Sequence, residues 1–188
     1  MPEVRRVTIL FVCSANLCRS VTAAEYARRA ALDSPVSVEW RIETAGTDVH
    51  QGQRLPPMVE SAMEDLGIPV TGTPRLVDER AARSADLILT AERSHRAKVA
   101  RWFPFAVRST FTLLQFADLV EVGRVTVARG RAVDDLYDLR ELARIGRSEM
   151  QPRDDASIDI IDPVAAGTSR SMIDCADVIA NAIGRIVR

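Results

Sequence analysis

The stretch from Val7 to Ser20 constrains this chain more than any other. Val7-Thr8-Ile9-Leu10-Phe11-Val12 is apolar and β-branched with little polar alternation, the pattern of a central parallel strand covered on both faces. Beyond Ser20 the apolar positions Val21, Ala24, Tyr26, Ala27, Ala30 and Ala31 recur at helical spacing, with Glu25, Arg28 and Arg29 between them. Cys13-Ser14-Ala15-Asn16-Leu17-Cys18-Arg19 joins strand to helix. Backbone N–H groups that converge at a helix N-terminus bind anions, and the same field stabilises a thiolate at Cys13. Arg19 can offer a planar two-pronged donor to two oxygens of a tetrahedral oxyanion, which lysine cannot. Ser20 can donate its hydroxyl to the Cys13 sulfur, and Asn16 can hold the loop through its side chain. A sulfur nucleophile beneath an arginine-held phosphate is equipment for phosphoryl transfer to sulfur. Cys-x5-Arg alone is a weak signal in so arginine-rich a chain. Its place between an apolar strand and a capped helix gives it weight.

Val12-Cys13-Ser14-Ala15-Asn16-Leu17-Cys18-Arg19-Ser20 resembles the signature loop of the low-molecular-weight protein tyrosine phosphatases. That family has Cys-x5-Arg-Ser near the N-terminus, Asn three residues after the nucleophile, and often a second cysteine before the arginine. The resemblance implies phosphomonoester hydrolysis through a phosphocysteine on Cys13, without metal or other cofactor. It also implies a phosphate held by Ser14, Ala15, Asn16, Leu17, Cys18, Arg19 and Ser20. Ala15 departs from the family's usual glycine, and a positive φ there would strain an alanine. Thr44-Ala45-Gly46-Thr47 resembles the family's Ser-Ala-Gly-Thr turn. The loop after it walls the substrate cleft in the family, which makes His50 a candidate cleft residue.

A chain of 188 residues is long enough for one α/β domain with a substantial core. A net charge of −1 gives no nucleic-acid footprint, and no apolar run approaches the ~20 residues of a membrane span. Three cysteines do not make a disulfide framework. The expected compartment is the reducing cytoplasm, which a thiol nucleophile also requires. A second strand is expected over Val36–Glu43, a third over Ala85–Thr90 and a fourth over Phe105–Thr110. Helices are expected over Met58–Leu66 (closed by Gly67), Asp78–Ser84 and Glu92–Arg101, then from Phe111, and last over Ser171–Ile186, with His95 on a helix surface and Cys175 in the core. This order predicts an α/β fold: a doubly wound four-stranded parallel sheet with helices on both faces, in three α/β/α layers. Residues 1–188 read as a single domain with an irregular insertion at about 121–155, broken by Gly123, Gly130, Gly146 and Pro152. Within it Val133–Ile145 has amphipathic spacing, and Asp134, Asp135 and Asp138 read as a solvated acidic face rather than a metal site.

Hydrolysis through a phosphocysteine needs an acid for the leaving group and a base for water. Asp162 is the candidate. Pro163 restricts its backbone, and Ile160 and Ile161 are expected to bury it and favour the neutral form; Asp159 is the fallback. The resembled family carries its acid in Asp-Pro-aromatic before the C-terminal helix, and Asp162-Pro163 is similarly placed. Val164 and Ala165 stand where the family has aromatic rings, so Val164 is a second candidate cleft residue. Cys18, close to Cys13 in the loop, is a candidate to capture oxidised Cys13 as a disulfide. The partners implied are a phosphotyrosine protein or a small aryl phosphate and a cognate tyrosine kinase, with neither nucleic acid nor membrane. Two other functions compete. Arsenate is isosteric with phosphate and the family's loop serves both, so arsenate reduction coupled to a small thiol is one; a non-catalytic phosphate-binding regulatory module is the other. A thioredoxin-coupled reductase needs a cysteine pair after the third strand, and Thr90-Ala91-Glu92 has none.

Overall fold

Strand β1 (Arg5–Cys13) pairs in parallel with β2 (Val38–Gly46) on one side and β3 (Leu87–Thr90) on the other. β4 (Thr110–Thr112) adds beyond β3, giving the sheet order β2-β1-β3-β4. The computed structural model describes residues 5–32, 38–70, 73–128, 138–151, 153 and 155–187. β1 is central because both of its faces are apolar. Ile9 and Phe11 join a core with Leu87, Leu89 and Phe116 beneath α1 (Arg19–Leu32), α5 (Leu113–Ala128), α6 (Leu139–Glu149) and α8 (Ser169–Val187). Leu10 and Val12 join Ile88 on the opposite face, against Ala81 and Ala82 of α3 (Glu79–Ser84) and Val99 of α4 (Arg93–Trp102). Each fully buried Leu, Ile or Phe is worth roughly 1.5–3 kcal/mol relative to exposure, so the two-sided run in β1 anchors all three layers. A third cluster seats α2 (Pro57–Asp65) on α8 through Val59, Met63, Met172 and Ala176, with Cys18 among them.

β1 is flanked by β2, which follows it in the chain, and by β3, which comes later. The strand order therefore reverses at β1, and in such sheets the crevice outside the carboxyl ends of the strands is where ligands bind. The loop after Cys13 opens into that crevice.

Three expectations change. Phe105–Ser109 is not strand: Pro104–Ser109 forms a 3₁₀ helix, and only Thr110–Thr112 pairs. Pro104 presets its φ and has no N–H to give a ladder, and Ala106 is buried while Phe105 and Val107 are exposed. β2 runs on to Gly46, whose N–H donates to Arg75 O and whose carbonyl accepts from Val77 N, both at 2.8 Å. Gly123 and Gly146 do not break helices; they lie inside α5 and α6, where these pack face to face. A β-carbon on Gly123 would stand 2.1 Å from Leu142 O, and one on Gly146 2.0 Å from Leu119 O. Of the amphipathic helix expected over 133–145, residues 133–137 lie outside the described residues and 139–145 fall in α6, which runs on to Glu149, with Leu142, Ala143 and Ile145 buried and Asp138 capping it through Arg140 N and Glu141 N. Val36, Gly130, Asp134, Asp135 and Pro152 lie outside the described residues.

Candidate active site

Cys13 ends β1 and Arg19 begins α1, so residues 14–18 must turn the chain from sheet to helix in one tight loop. Asn16 takes the turn with φ +57°, alone in this among the described non-glycine residues, and asparagine tolerates the left-handed region better than most side chains. Ala15 is outside that region, so the strain expected of an alanine does not arise. The Asn16 side chain is held at both ends: Nδ2 donates to Ser20 Oγ at 3.1 Å, and Oδ1 accepts from Arg75 N at 3.1 Å. Ser20 Oγ stands 3.1 Å from Cys13 Sγ, and both residues are buried. Because Ser20 accepts from Asn16, its own proton is available to the sulfur.

A backbone clamp completes the loop. Thr47 N donates to Cys13 O and Asp48 N to Ser14 O, each at 2.9 Å. This approach requires Gly46, since a β-carbon there would lie 2.3 Å from Ser14 O.

Arg19 is 3% exposed, and each of its terminal nitrogens donates two bonds. Nη1 donates to the Glu92 carboxylate and to Ile160 O at 3.0 Å; Nη2 donates to Ser14 Oγ at 3.2 Å and to Asp162 Oδ2 at 2.7 Å. Burial works against the charge, but Asp162, the Glu92 bond and Cys13 outweigh it and raise the pKa of the guanidinium. Burial likewise disfavours the Glu92 carboxylate, and the bond and charge of Arg19 reverse this, holding Glu92 below the ordinary carboxylate value. Removing one partner of such a buried set leaves an uncompensated charge, which is strongly destabilising.

Asp162 accepts from Val164 N at 3.0 Å and caps α7 (Pro163–Ala166) while facing Arg19. The burial expected from Ile160 and Ile161 is not found: the Asp162 side chain is 37% exposed, Ile160 turns into the core and Ile161 is 86% exposed. Asp159 serves elsewhere, accepting from Arg93 N at 2.7 Å and Arg93 Nε at 3.0 Å at the start of α4. His50 is exposed, with its carbonyl accepting from Gln53 N at 3.3 Å. Val164 packs, as Leu17 does, against the third apolar cluster. Cys18 Sγ donates to Met172 Sδ at 3.3 Å, and burial raises its thiol well above the ordinary range. Burial also pushes Cys175 up to about 12 in the core, where the helical spacing placed it.

His95 is a correction. It is 2% exposed rather than on the helix surface, and its Nε2 lies 2.8 Å from Ser14 Oγ. His95 and Glu92 are the site residues that sequence reading missed. Both follow β3, whose carboxyl end borders the same crevice as the loop, and that strand-end position is the only signal that could have found them.

The layers and the loop define an α/β protein with a Cys-x5-Arg loop at the switch point of its sheet. A profile of the family described as "Low molecular weight phosphotyrosine protein phosphatase" matches residues 8–128, and the chain belongs to that family. The human low molecular weight phosphotyrosine protein phosphatase is 30% identical over 96 residues, 50% of this chain and 61% of that protein. An arsenate reductase of Staphylococcus aureus is 30% identical over 84 residues, 44% of this chain and 58% of that protein. The chain thus spans less than two thirds of either relative. A mutant of YwlE from Bacillus subtilis shares the fold with a TM-score of 0.67 over 96% of both chains, at 18% identity. The family match ends before Asp162.

Proposed function

We propose that the protein hydrolyses phosphomonoesters through a phosphocysteine. Cys13 Sγ attacks phosphorus in line with the ester oxygen, while Arg19 and the N–H groups of residues 14–19 bind the remaining oxygens. A phosphoryl group that takes the Nη2 side of Arg19 displaces the Asp162 carboxylate, which becomes the group next to the leaving oxygen. Asp162, carrying a proton, gives it to that oxygen as the P–O bond breaks. Its carboxylate then takes a proton from water, whose oxygen attacks phosphorus, releasing phosphate and the Cys13 thiolate. Ser20 Oγ is placed to stabilise the sulfur anion in both steps.

One observation carries the reading: on one loop Cys13 meets the Ser20 hydroxyl and Arg19 bonds to Ser14 and forms an ion pair with Asp162, although Asp162 is far away in the chain. The substrates proposed are phosphotyrosine proteins or small aryl phosphates, with a tyrosine kinase as opposing partner and a reducing cytoplasm as setting. Among the described residues no helix is long and apolar enough to cross a membrane.

Turnover of p-nitrophenyl phosphate by the protein and by Cys13→Ser and Asp162→Ala tests this. Cys13→Ser is expected to abolish turnover, and Asp162→Ala to lower kcat by about 10²–10⁴-fold. Turnover that survives Cys13→Ser overturns the mechanism. An inert protein that consumes arsenate when given glutathione would shift the reading to the reductase, and one that binds phosphate without either reaction to a regulatory module.

A further inference from the structure

Ser14 Oγ meets both Arg19 and a side chain of another helix: Arg19 Nη2 donates to it at 3.2 Å, and His95 Nε2 lies 2.8 Å away. The direction of the second bond follows from what surrounds the ring. His95 Nδ1 is buried and has no hydrogen-bond partner among the described residues. A proton on Nδ1 would be an unpaired buried N–H, the rarest and costliest kind of orphan, whereas a bare nitrogen lone pair is more readily tolerated. The proton therefore sits on Nε2 and is donated to Ser14 Oγ. The charged groups facing the ring are Arg19 from α1, Asp48 from the loop after β2, and Glu92 and Lys98 from its own segment. Burial first and then Arg19 bring the ring to a pKa of about 4, with Glu92 and Asp48 opposing, so the imidazole is neutral at pH 7.

Two donated hydrogen bonds use both lone pairs of the Ser14 hydroxyl, and no further partner among the described residues takes its proton. The Asp48 N–H on Ser14 O holds the residue's backbone at 2.9 Å. We propose that His95 is a positioning residue that turns the Ser14 O–H into a hydrogen-bond donor for the bound oxyanion, adding a side-chain donor to the loop's N–H groups and Arg19. This deepens the phosphatase reading and rests on it. A serine whose oxygen accepted from Arg19 alone would be free to turn its proton toward solvent; the imidazole removes that freedom. The oxyanion then meets a hydroxyl already aimed, with less ordering left to do on binding.

The test combines calorimetric binding of tungstate, a stable tetrahedral oxyanion, with kcat and KM for p-nitrophenyl phosphate. The proteins are the wild type, Ser14→Ala, His95→Ala, the double variant and His95→Gln. Each single alanine variant is expected to weaken tungstate binding about tenfold or more, as loss of a hydrogen bond to a charged group does. The double variant should lose little beyond that, and His95→Gln, whose amide N–H can replace the Nε2 donor, should recover most of the loss. The chain has two histidines, so a ¹⁵N spectrum of histidine-labelled protein reads His95 directly. The Nε2–H tautomer is expected at pH 7, still neutral at about pH 5. Tungstate bound by Ser14→Ala as tightly as by the wild type, additive losses in the double variant, or an Nδ1–H tautomer each overturns the proposal while leaving the phosphatase reading intact. Should His95→Ala fail to fold, Ser14→Ala and the spectrum still decide between these outcomes. A wild type that neither binds tungstate nor turns over the ester sinks the phosphatase reading and this proposal together.

Discussion

At Gly46 a single hydrogen atom decides whether the loop can close. A methyl group there would stand 2.3 Å from Ser14 O and 2.7 Å from Val49 Cγ2. Gly46→Ala is therefore expected to lose roughly 1–3 kcal/mol of stability in urea unfolding, with a fall in kcat/KM larger than the stability loss explains. His95 acts on stability through protons. Its ordinary pKa of 6.5 drops to about 4 in the fold, so the unfolded chain takes up a proton that the folded one refuses. The stabilisation is whole above pH 6.5 and is lost as pH falls toward 4, a change of roughly 3 kcal/mol. Unfolding free energies measured between pH 7 and 4.5 should show this slope in the wild type and not in His95→Gln. Glu92, whose pKa is lowered from 4.5, begins to lose its own contribution only below that value, so the two windows separate.

Among the elements, α5 and α6 owe their contact to two glycines. Gly123 and Gly146 each lie against a carbonyl of the partner helix, at Leu142 and Leu119. Alanine is the better helix former by roughly 1 kcal/mol, so a change to alanine at an open helical site would stabilise. Here the forced separation wins, and Gly123→Ala is expected to destabilise by roughly 1–3 kcal/mol. The contact is remote from the loop, so KM for p-nitrophenyl phosphate should be unchanged in the folded protein. A lowered thermal midpoint with an unaltered KM is the signature; a rise in stability would show that the helices are not held this close.

On the scale of the whole molecule, α8 links two cores. Met172, near its start, is fully buried in the cluster beneath Cys18, and Ile186, near its end, belongs to the core under the sheet. At 1.5 Å per residue the two lie about 20 Å apart along the helix. Met172→Ala and Ile186→Ala are each expected to lose roughly 2–5 kcal/mol in urea unfolding. Only Met172→Ala removes the partner of Cys18 Sγ, so only it should also raise KM. Equal KM values in the two variants would show that the loop does not depend on its support from α8.

The amino-acid sequence by itself determined the strand, loop and helix that hold Cys13 and Arg19, because that unit is local. Its apolar run, its Cys-x5-Arg spacing and its Asn16 act on neighbours within a few residues. The same is true of Asp162, whose following proline and helix cap are adjacent to it. What meets that unit was left to the tertiary structure. In Ala91-Glu92-Arg93-Ser94-His95-Arg96 the periodicity marks a helix but not which of its first residues faces inward, and His95 is buried because β3 delivers the start of α4 beside the loop. Gly123 and Gly146 look like breaks until two helices are laid across each other. Phe105–Ser109, with its apolar Phe-Ala-Val start, reads like a strand but sits where Pro104 has already set a tighter turn. Side-chain chemistry and short-range periodicity are written along the chain; which distant groups end up within hydrogen-bonding reach depends on how the layers pack, and no local pattern records that.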